Sequence, residues 1–176
     1  EMCIRDRYMC TGSEANDLAI RIAREYSGGT GIIVSQEAYH GTSDLTSGCS
    51  PALGTGQTLA ATTRLVAAPD QYRFEGEDLG DWFAAQIQAQ IDDMNANGIK
   101  FAGFLADSIF SSDGVIPNPI GFLKKAVDVV HANGGIFIAD EVQPGFARTG
   151  DSFWGFGRHG VVPDIITTGK PMGNGI

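Results

Sequence analysis

The sequence predicts an α/β fold, a mostly parallel sheet with helices on both faces. Three observations predict it. Short apolar runs recur along the chain with the length and composition of buried strands. Between them lie longer segments whose apolar residues repeat at i, i+3, i+4 and i+7, the spacing of one-faced helices. The two kinds of segment alternate, which implies βαβ units and a sheet covered on both sides.

"SEANDLAIRIAREYSGG" carries Ala15, Leu18, Ala19, Ile22, Ala23 and Tyr26 at helical spacing, with Ser13 as the expected N-cap and Gly28-Gly29 as the stop. "GIIVS" (31–35) reads as a buried strand. The Gly/Ser/Thr-rich stretch from Gly41 to Thr62 has weak periodicity and reads mainly as loop, and "TRLVAAP" (63–69) as the next strand. "EDLGDWFAAQIQAQIDDMNANG" places Phe83, Ile87, Ile91 and Met94 on one helical face and closes at Gly98. "FAGFLAD" (101–107) is strand-like. "IGFLKKAVDVVHANGG" repeats the helical pattern through Phe122, Leu123, Ala126, Val127 and Val130 and ends at Gly134. "IFIAD" (136–140) and "DIITT" (164–168) complete the set.

Composition narrows the class of partner. Hydrophobic residues make up 43% of the 176 and charged residues 19%, which is material for a real core. The formal net charge is −9 and no Lys/Arg-rich run occurs, so a nucleic-acid partner is not expected. No apolar stretch reaches the ~18 residues of a membrane span. Three cysteines without CxxC spacing indicate neither a disulfide framework nor a zinc site, and they fit a reducing compartment, so a cytoplasmic location is expected. "EMCIRDR", Glu1 to Arg7, shares no pattern with the rest of the chain and is set aside as a non-native artefact. "GKPMGNGI" stops inside a motif, so residues 8–176 are expected to be part of a larger domain.

In parallel sheets, ligands sit beyond the carboxyl ends of the strands. The polar residues expected on that rim are Glu37, Tyr39 and His40, then Asp107, Asp140 and Lys170. Asp140 poses a question, because an apolar run leads straight into it and a buried charge is costly unless paired. The partner is expected either elsewhere in the sequence or in a ligand. "CTGSEAND" puts Thr11, Gly12 and Ser13 at a helix start, where free N–H groups favour an anion. A plain N-cap reads equally well from this stretch alone. Lys170 follows a strand in a Gly-rich turn, a place suited to a desolvated amine that forms a Schiff base. A buried acid, a rim lysine, an anion-binding helix start and a stacking tyrosine together suggest pyridoxal phosphate.

The chain resembles the class III pyridoxal-phosphate-dependent aminotransferases over nearly all of Tyr8 to Ile176. The resemblance rests on "TGSEAND", "AYHG", "GVIPNPIGFL", "IADEVQPGFARTGDSFWGF" and "GVVPDIITTGK", in that order. It implies the incomplete large domain of a fold-type I enzyme. The phosphate-binding turn falls on Thr11, Gly12 and Ser13, and the ring-stacking aromatic on Tyr39, with His40 beside it. Asp140 becomes the partner of the ring nitrogen, Val142 packs on the other ring face, Gln143 reaches the 3-hydroxyl oxygen and Lys170 is the Schiff-base lysine. The implied reaction transfers an amino group from an amino acid or amine to a 2-oxo acid, in a protein that is a homodimer at full length.

One departure concerns substrate. Many family members have Glu-Pro where this chain has Asp107-Ser108 in "LADSIFSSDG". The "SSDG" and "GKPMGNG" forms are similar to a subgroup that includes phospho-lyases acting on phosphorylated amino alcohols or hydroxylysine, which is the alternative activity; the 176 residues by themselves are expected to be an inactive fragment. Glu141 and Arg148 are read as structural polar groups of the loop, His131 and His159 as ordinary helix-end and loop residues, and Trp82 and Trp154 as packing.

Overall fold

The computed structural model describes residues 6–173, so most of the segment set aside at the N-terminus, with Asn174, Gly175 and Ile176, lies outside it. Five strands form one all-parallel sheet: β1 (Gly31–Ser35), β2 (Thr63–Val66), β3 (Phe101–Ala106), β4 (Ile136–Asp140) and β5 (Ile165–Thr167), in the order β2-β1-β3-β4-β5. The chain therefore moves outward from β1 to β2 and returns past β1 to lay down β3. That change of direction makes the β1/β3 boundary a topological switch point, where α/β sheets open a crevice.

Helix α1 (Gly12–Ser27) covers one face, and α3 (Leu79–Ala96) and α4 (Leu123–Ala132) pack together on the other. Alternation along the strands assigns the faces. Ile32, Val34, Leu105, Ile136 and Ile138 join Ala19, Ile20 and Ala23 of α1. Ile33, Phe104, Phe137 and Ala139 join the α3/α4 side, where Phe83 meets Phe104, Phe110 and Phe122 edge to face at centroid distances of 6.1, 5.7 and 5.9 Å. The helical stripes expected for α3 and α4 are the buried ones.

Strand β3 breaks the alternation once. Gly31 pairs with Phe101, but the next residue, Ile32, pairs with Gly103, so Ala102 is an extra residue, a β-bulge. Phe101 faces α3 and α4 while Ala102 faces α1; past the bulge Phe104 and Ala106 take the α3/α4 side and Leu105 the α1 side.

Helix α1 corrects two expectations. Its N-cap is Thr11 rather than Ser13, because Glu14 stands three residues on and closes a capping box: Thr11 Oγ1 accepts from the Glu14 N–H (3.2 Å) and Glu14 Oε2 from the Thr11 N–H (3.1 Å). Its buried stripe is Asn16, Ala19, Ile20 and Ala23, whereas Ile22 and Tyr26 are 45% and 79% exposed. The apolar residues misled because the buried stripe includes an asparagine. The 41–62 segment is loop as expected, apart from a short helix α2 (Asp44–Ser47) and a single 3₁₀ turn at Pro51–Leu53. Four of the strands match their expected places closely, but β2 stops at Val66, three residues short of the expected end.

Candidate active site

The carboxyl ends of β1, β3, β4 and β5 and the start of α1 enclose a cleft of about 180 Å³. Gly12, Ser13, Tyr39, His40, Asp107, Asp140, Val142, Gln143 and Lys170 all line it, as do Asn16 and Ser111. Eight of the nine residues expected to hold a cofactor therefore meet in one place. Thr11, the ninth, does not line the cleft, because its hydroxyl is spent on the capping box. Glu37, expected on the same rim, is exposed and outside the lining; its N–H donates to Asp113 Oδ1 (3.1 Å).

The helix start supplies donors. Gly12 and Ser13 are the first two helical residues, so their N–H groups have no intrahelical acceptor. Gly41 comes so close that a Cβ there would lie 2.5 Å from Ser13 Oγ, at a φ of +134° that only glycine adopts readily. The Thr42 N–H then donates to Ser13 Oγ (3.1 Å). On the opposite side Val142 fits between two glycines, and a Cβ on Gly12 or Gly169 would stand 3.3 or 3.1 Å from its methyl groups.

Asp140 ends β4 on the α1 face and is 5% exposed. Of the two expected sources of a partner for its buried charge, the protein itself supplies several hydrogen-bond donors. Asn16 Nδ2 donates to Asp140 Oδ2 (2.8 Å), and so does His40 Nδ1 (2.8 Å), which must carry the proton because a carboxylate only accepts. The Val142 N–H donates to Oδ1 (3.1 Å). Asn16 also donates to the His40 carbonyl (2.9 Å) and accepts from Thr167 Oγ1 on β5 (2.6 Å). One asparagine thus ties together α1, the loop after β1, and the ends of β4 and β5. Sequence reading missed it, although it sits on the stripe of Ala19, Ile20 and Ala23. With Nδ1 committed to Asp140, His40 Nε2 is buried and has no hydrogen-bond partner among the described residues.

Asp107 leaves β3 toward the same cleft. Its carboxylate accepts from the Ile109 N–H (2.9 Å) and from the N–H of Ser111 (3.1 Å) and its hydroxyl. Burial raises its pKa above the usual carboxylate range, the Ser111 hydroxyl works against that shift, and the nearby Asp140 charge adds to it. Lys170 differs from expectation in being exposed rather than desolvated. It comes directly after β5, which is the sheet edge among the described residues, so cover reaches it from one side only. Tyr39 is 43% exposed over the same opening.

The donor set and the glycine-lined walls fit a flat anionic cofactor. No group of acids, histidines and cysteines with metal-holding geometry occurs among the described residues. The model of the family described as "Aminotransferase class-III" matches residues 5–176. The chain is a member of that family.

This class III chain is 39% identical to an Arabidopsis thaliana protein named alanine–glyoxylate aminotransferase 2 homolog 2, mitochondrial, over 94% of its own length and 34% of the relative's. It is 36% identical to the human alanine–glyoxylate aminotransferase 2, mitochondrial, over 94% of the chain and 36% of that protein. The chain thus spans about a third of the length of these curated relatives. Among solved structures it is similar to a phospholyase from Arthrobacter in complex with phosphoethanolamine (39% identity, TM-score 0.86), covering 94% of this chain and 40% of that one. An omega-aminotransferase from Paracoccus denitrificans shares the fold at 24% identity, with a TM-score of 0.84 over 97% of this chain and 40% of that one. Among the described residues no helix is long and apolar enough to cross a membrane.

Proposed function

We propose that the protein to which this class III chain belongs is a pyridoxal-phosphate-dependent aminotransferase, moving an amino group from an amino acid or amine to a 2-oxo acid. The observation that carries the reading is the meeting in one cleft of a helix start, an aromatic ring, a buried acid and a lysine. When bound, the cofactor supplies an electron sink for charge developing at the substrate's α-carbon. The N–H groups of Gly12 and Ser13 would hold its phosphate, assisted by the helix dipole. Tyr39 and Val142 would bracket the ring, and Gln143 would reach its 3-hydroxyl oxygen.

Asp140 would meet the ring nitrogen through Oδ1, the oxygen with capacity left after one N–H bond, while Asn16 and His40 fix Oδ2. Held so, the carboxylate acts as a preorganised charge and needs no reorganisation during the reaction. Lys170 would hold the cofactor covalently through Nζ and, once released, take the α-proton as a general base and return it as an acid.

Two observations favour a second reading, a phospho-lyase on a phosphorylated amino alcohol or hydroxylysine. They are Asp107-Ser108 at the end of β3 and the 39% identity to the Arthrobacter phospholyase. The domain reading, residues 8–176 as part of a cofactor-binding large domain, belongs to the same proposal, as do a homodimeric assembly and a cytoplasmic location. Free Cys10 and Cys49 fit a reducing compartment.

The test uses the full-length protein purified with cofactor. Borohydride reduction and peptide mapping are expected to label Lys170, and Lys170→Ala to abolish both label and turnover. Labelling of Lys124 or Lys125 instead would overturn the assignment. Amino transfer to pyruvate or 2-oxoglutarate supports the first activity; phosphate release without keto-acid formation supports the second.

A further inference from the structure

Asp140 and Glu141 are consecutive acids at the end of β4, and alternation sends them to opposite faces. Asp140 lines the cleft. Glu141 lies beneath it, fully buried, and both of its oxygens are engaged. Oε1 accepts from Ser108 Oγ (2.7 Å) and the Phe156 N–H (3.0 Å), and Oε2 accepts from the Gly155 N–H (2.7 Å).

Ser108 is the residue after Asp107. Since Ala106 pairs with Ala139, the register carried one step beyond each strand sets Asp107 beside Asp140, and a second step sets Ser108 beside Glu141. Ser108 is fully buried and held at both ends. Its hydroxyl is on Glu141, and its carbonyl accepts from His159 Nε2 (3.0 Å). His159 Nδ1 accepts from the Gly121 N–H (3.2 Å), which fixes the ring as the neutral tautomer with the proton on Nε2. Gly155 closes the space, because a Cβ there would stand 2.3 Å from Ser108 Oγ. From this anchor the chain turns at once into the segment that carries Asp107, Ser111 and Ser112 into the cleft.

We infer that Glu141 is a positioning residue for the substrate-facing wall of the cleft. By holding Ser108 from below it sets the place of Asp107, Ser111 and Ser112, while its neighbour Asp140 serves the cofactor side. The inference rests on the proposed reading of the cleft as a substrate site. It assigns the two acids of one dipeptide to two separable tasks, one in cofactor electronics and one in substrate geometry. Glu141→Gln keeps the shape but replaces one acceptor with an NH₂ donor. Three donors converge on this carboxylate, so whichever way the amide is turned at least one of the two backbone N–H groups loses its acceptor. The wall must then shift.

In the full-length holoenzyme, Glu141→Gln is expected to raise KM for the amino donor about tenfold and to change kcat less than about threefold, the pattern of lost ground-state positioning. Cofactor affinity and the visible spectrum of the bound cofactor should stay at the wild-type values. Ser108→Ala should move KM in the same direction, and the double variant should be no worse than Glu141→Gln alone, because the two residues act through one contact. If Glu141→Gln fails to fold, the KM of Ser108→Ala decides by itself. A lower melting temperature with unchanged KM would reduce Glu141 to a core group and overturn the inference. So would a KM effect accompanied by an equal loss of cofactor affinity. Failure of the underlying functional reading would show differently, as a wild-type protein that neither binds the cofactor nor turns over.

Discussion

Asn16→Asp replaces one atom group at the junction of four elements and puts a second acid against Asp140. At the 2.8 Å of the present hydrogen bond, two unit charges would repel by about 6 kcal/mol at an effective dielectric of 20. Spreading each charge over two oxygens lengthens the effective separation to ~4 Å and lowers the figure to about 4 kcal/mol. The pair would hold one shared proton whose release the neighbouring charge opposes, so the introduced acid titrates above the usual carboxylate range. A raised folded-state pKa gives stability that is complete below the unfolded carboxyl value near 4 and is lost as pH rises through the folded value. The variant should therefore trail wild type by about 2 kcal/mol at pH 5, one pH unit above the unfolded carboxyl value, where ~1.4 kcal/mol has gone to titration and the bond to the His40 carbonyl is lost as well. By pH 8 the deficit should reach about 4 kcal/mol, a fall in melting temperature of roughly 10 °C for a domain of this size. Thermal melts of wild type, Asn16→Asp and Asn16→Ala across that range make the assay, with Asn16→Ala expected to show a deficit independent of pH. A deficit in Asn16→Asp that is equal at pH 5 and pH 8 would refute the geometry assigned to the junction.

Gly41→Ala should cost about 2 kcal/mol or more, since it combines a φ of +134° with a contact of 2.5 Å to Ser13 Oγ, and denaturant midpoints check it. The same variant should weaken cofactor binding, measured by equilibrium dialysis of the full-length protein, because Ser13 must move. His159 has its pKa lowered, chiefly by burial, so its share of stability is present above about pH 6.5 and falls away as pH drops below that value. Melting temperatures from pH 7 to pH 5 should decline in wild type and decline less in His159→Gln.

The three central strands were legible because β1, β3 and β4 are short apolar runs buried on both faces, and "GIIVS" and "IFIAD" are β1 and β4 residue for residue. The cleft was legible because a parallel sheet gathers the residues just beyond its strand ends, so Tyr39, Asp140 and Lys170 could be placed from sequence alone. Polar groups buried for the sake of other polar groups were harder to see. Asn16 lies on an apolar stripe and reads as an interruption until Asp140, His40 and Thr167 stand around it, 24 to 151 residues away in sequence. Glu141 was assigned a structural place, but its hold on Ser108 depends on strand pairing that periodicity does not encode. The exposed apolar face of α1, with Ile22 and Tyr26, imitated a core stripe at the correct spacing.

The bulge at Ala102 limits how this stretch of chain can vary. Strand side chains obey parity, odd to one face and even to the other, and one extra residue reverses the parity of everything after it. Before the bulge, Phe101 faces α3 and α4; had alternation run on unbroken, Leu105 would face them as well and Asp107 would do the same, away from the cleft. With the reversal, Leu105 turns to α1, Asp107 opens into the cleft and Ser108 drops to Glu141. Between Gly103 and Asp107, a single-residue deletion would present Ser108 to the cleft in place of the acid, and a single-residue insertion would turn the Asp107 carboxylate onto Glu141 in the core. Changes of length there cannot be absorbed, and β3 should read in related chains as a segment of fixed count.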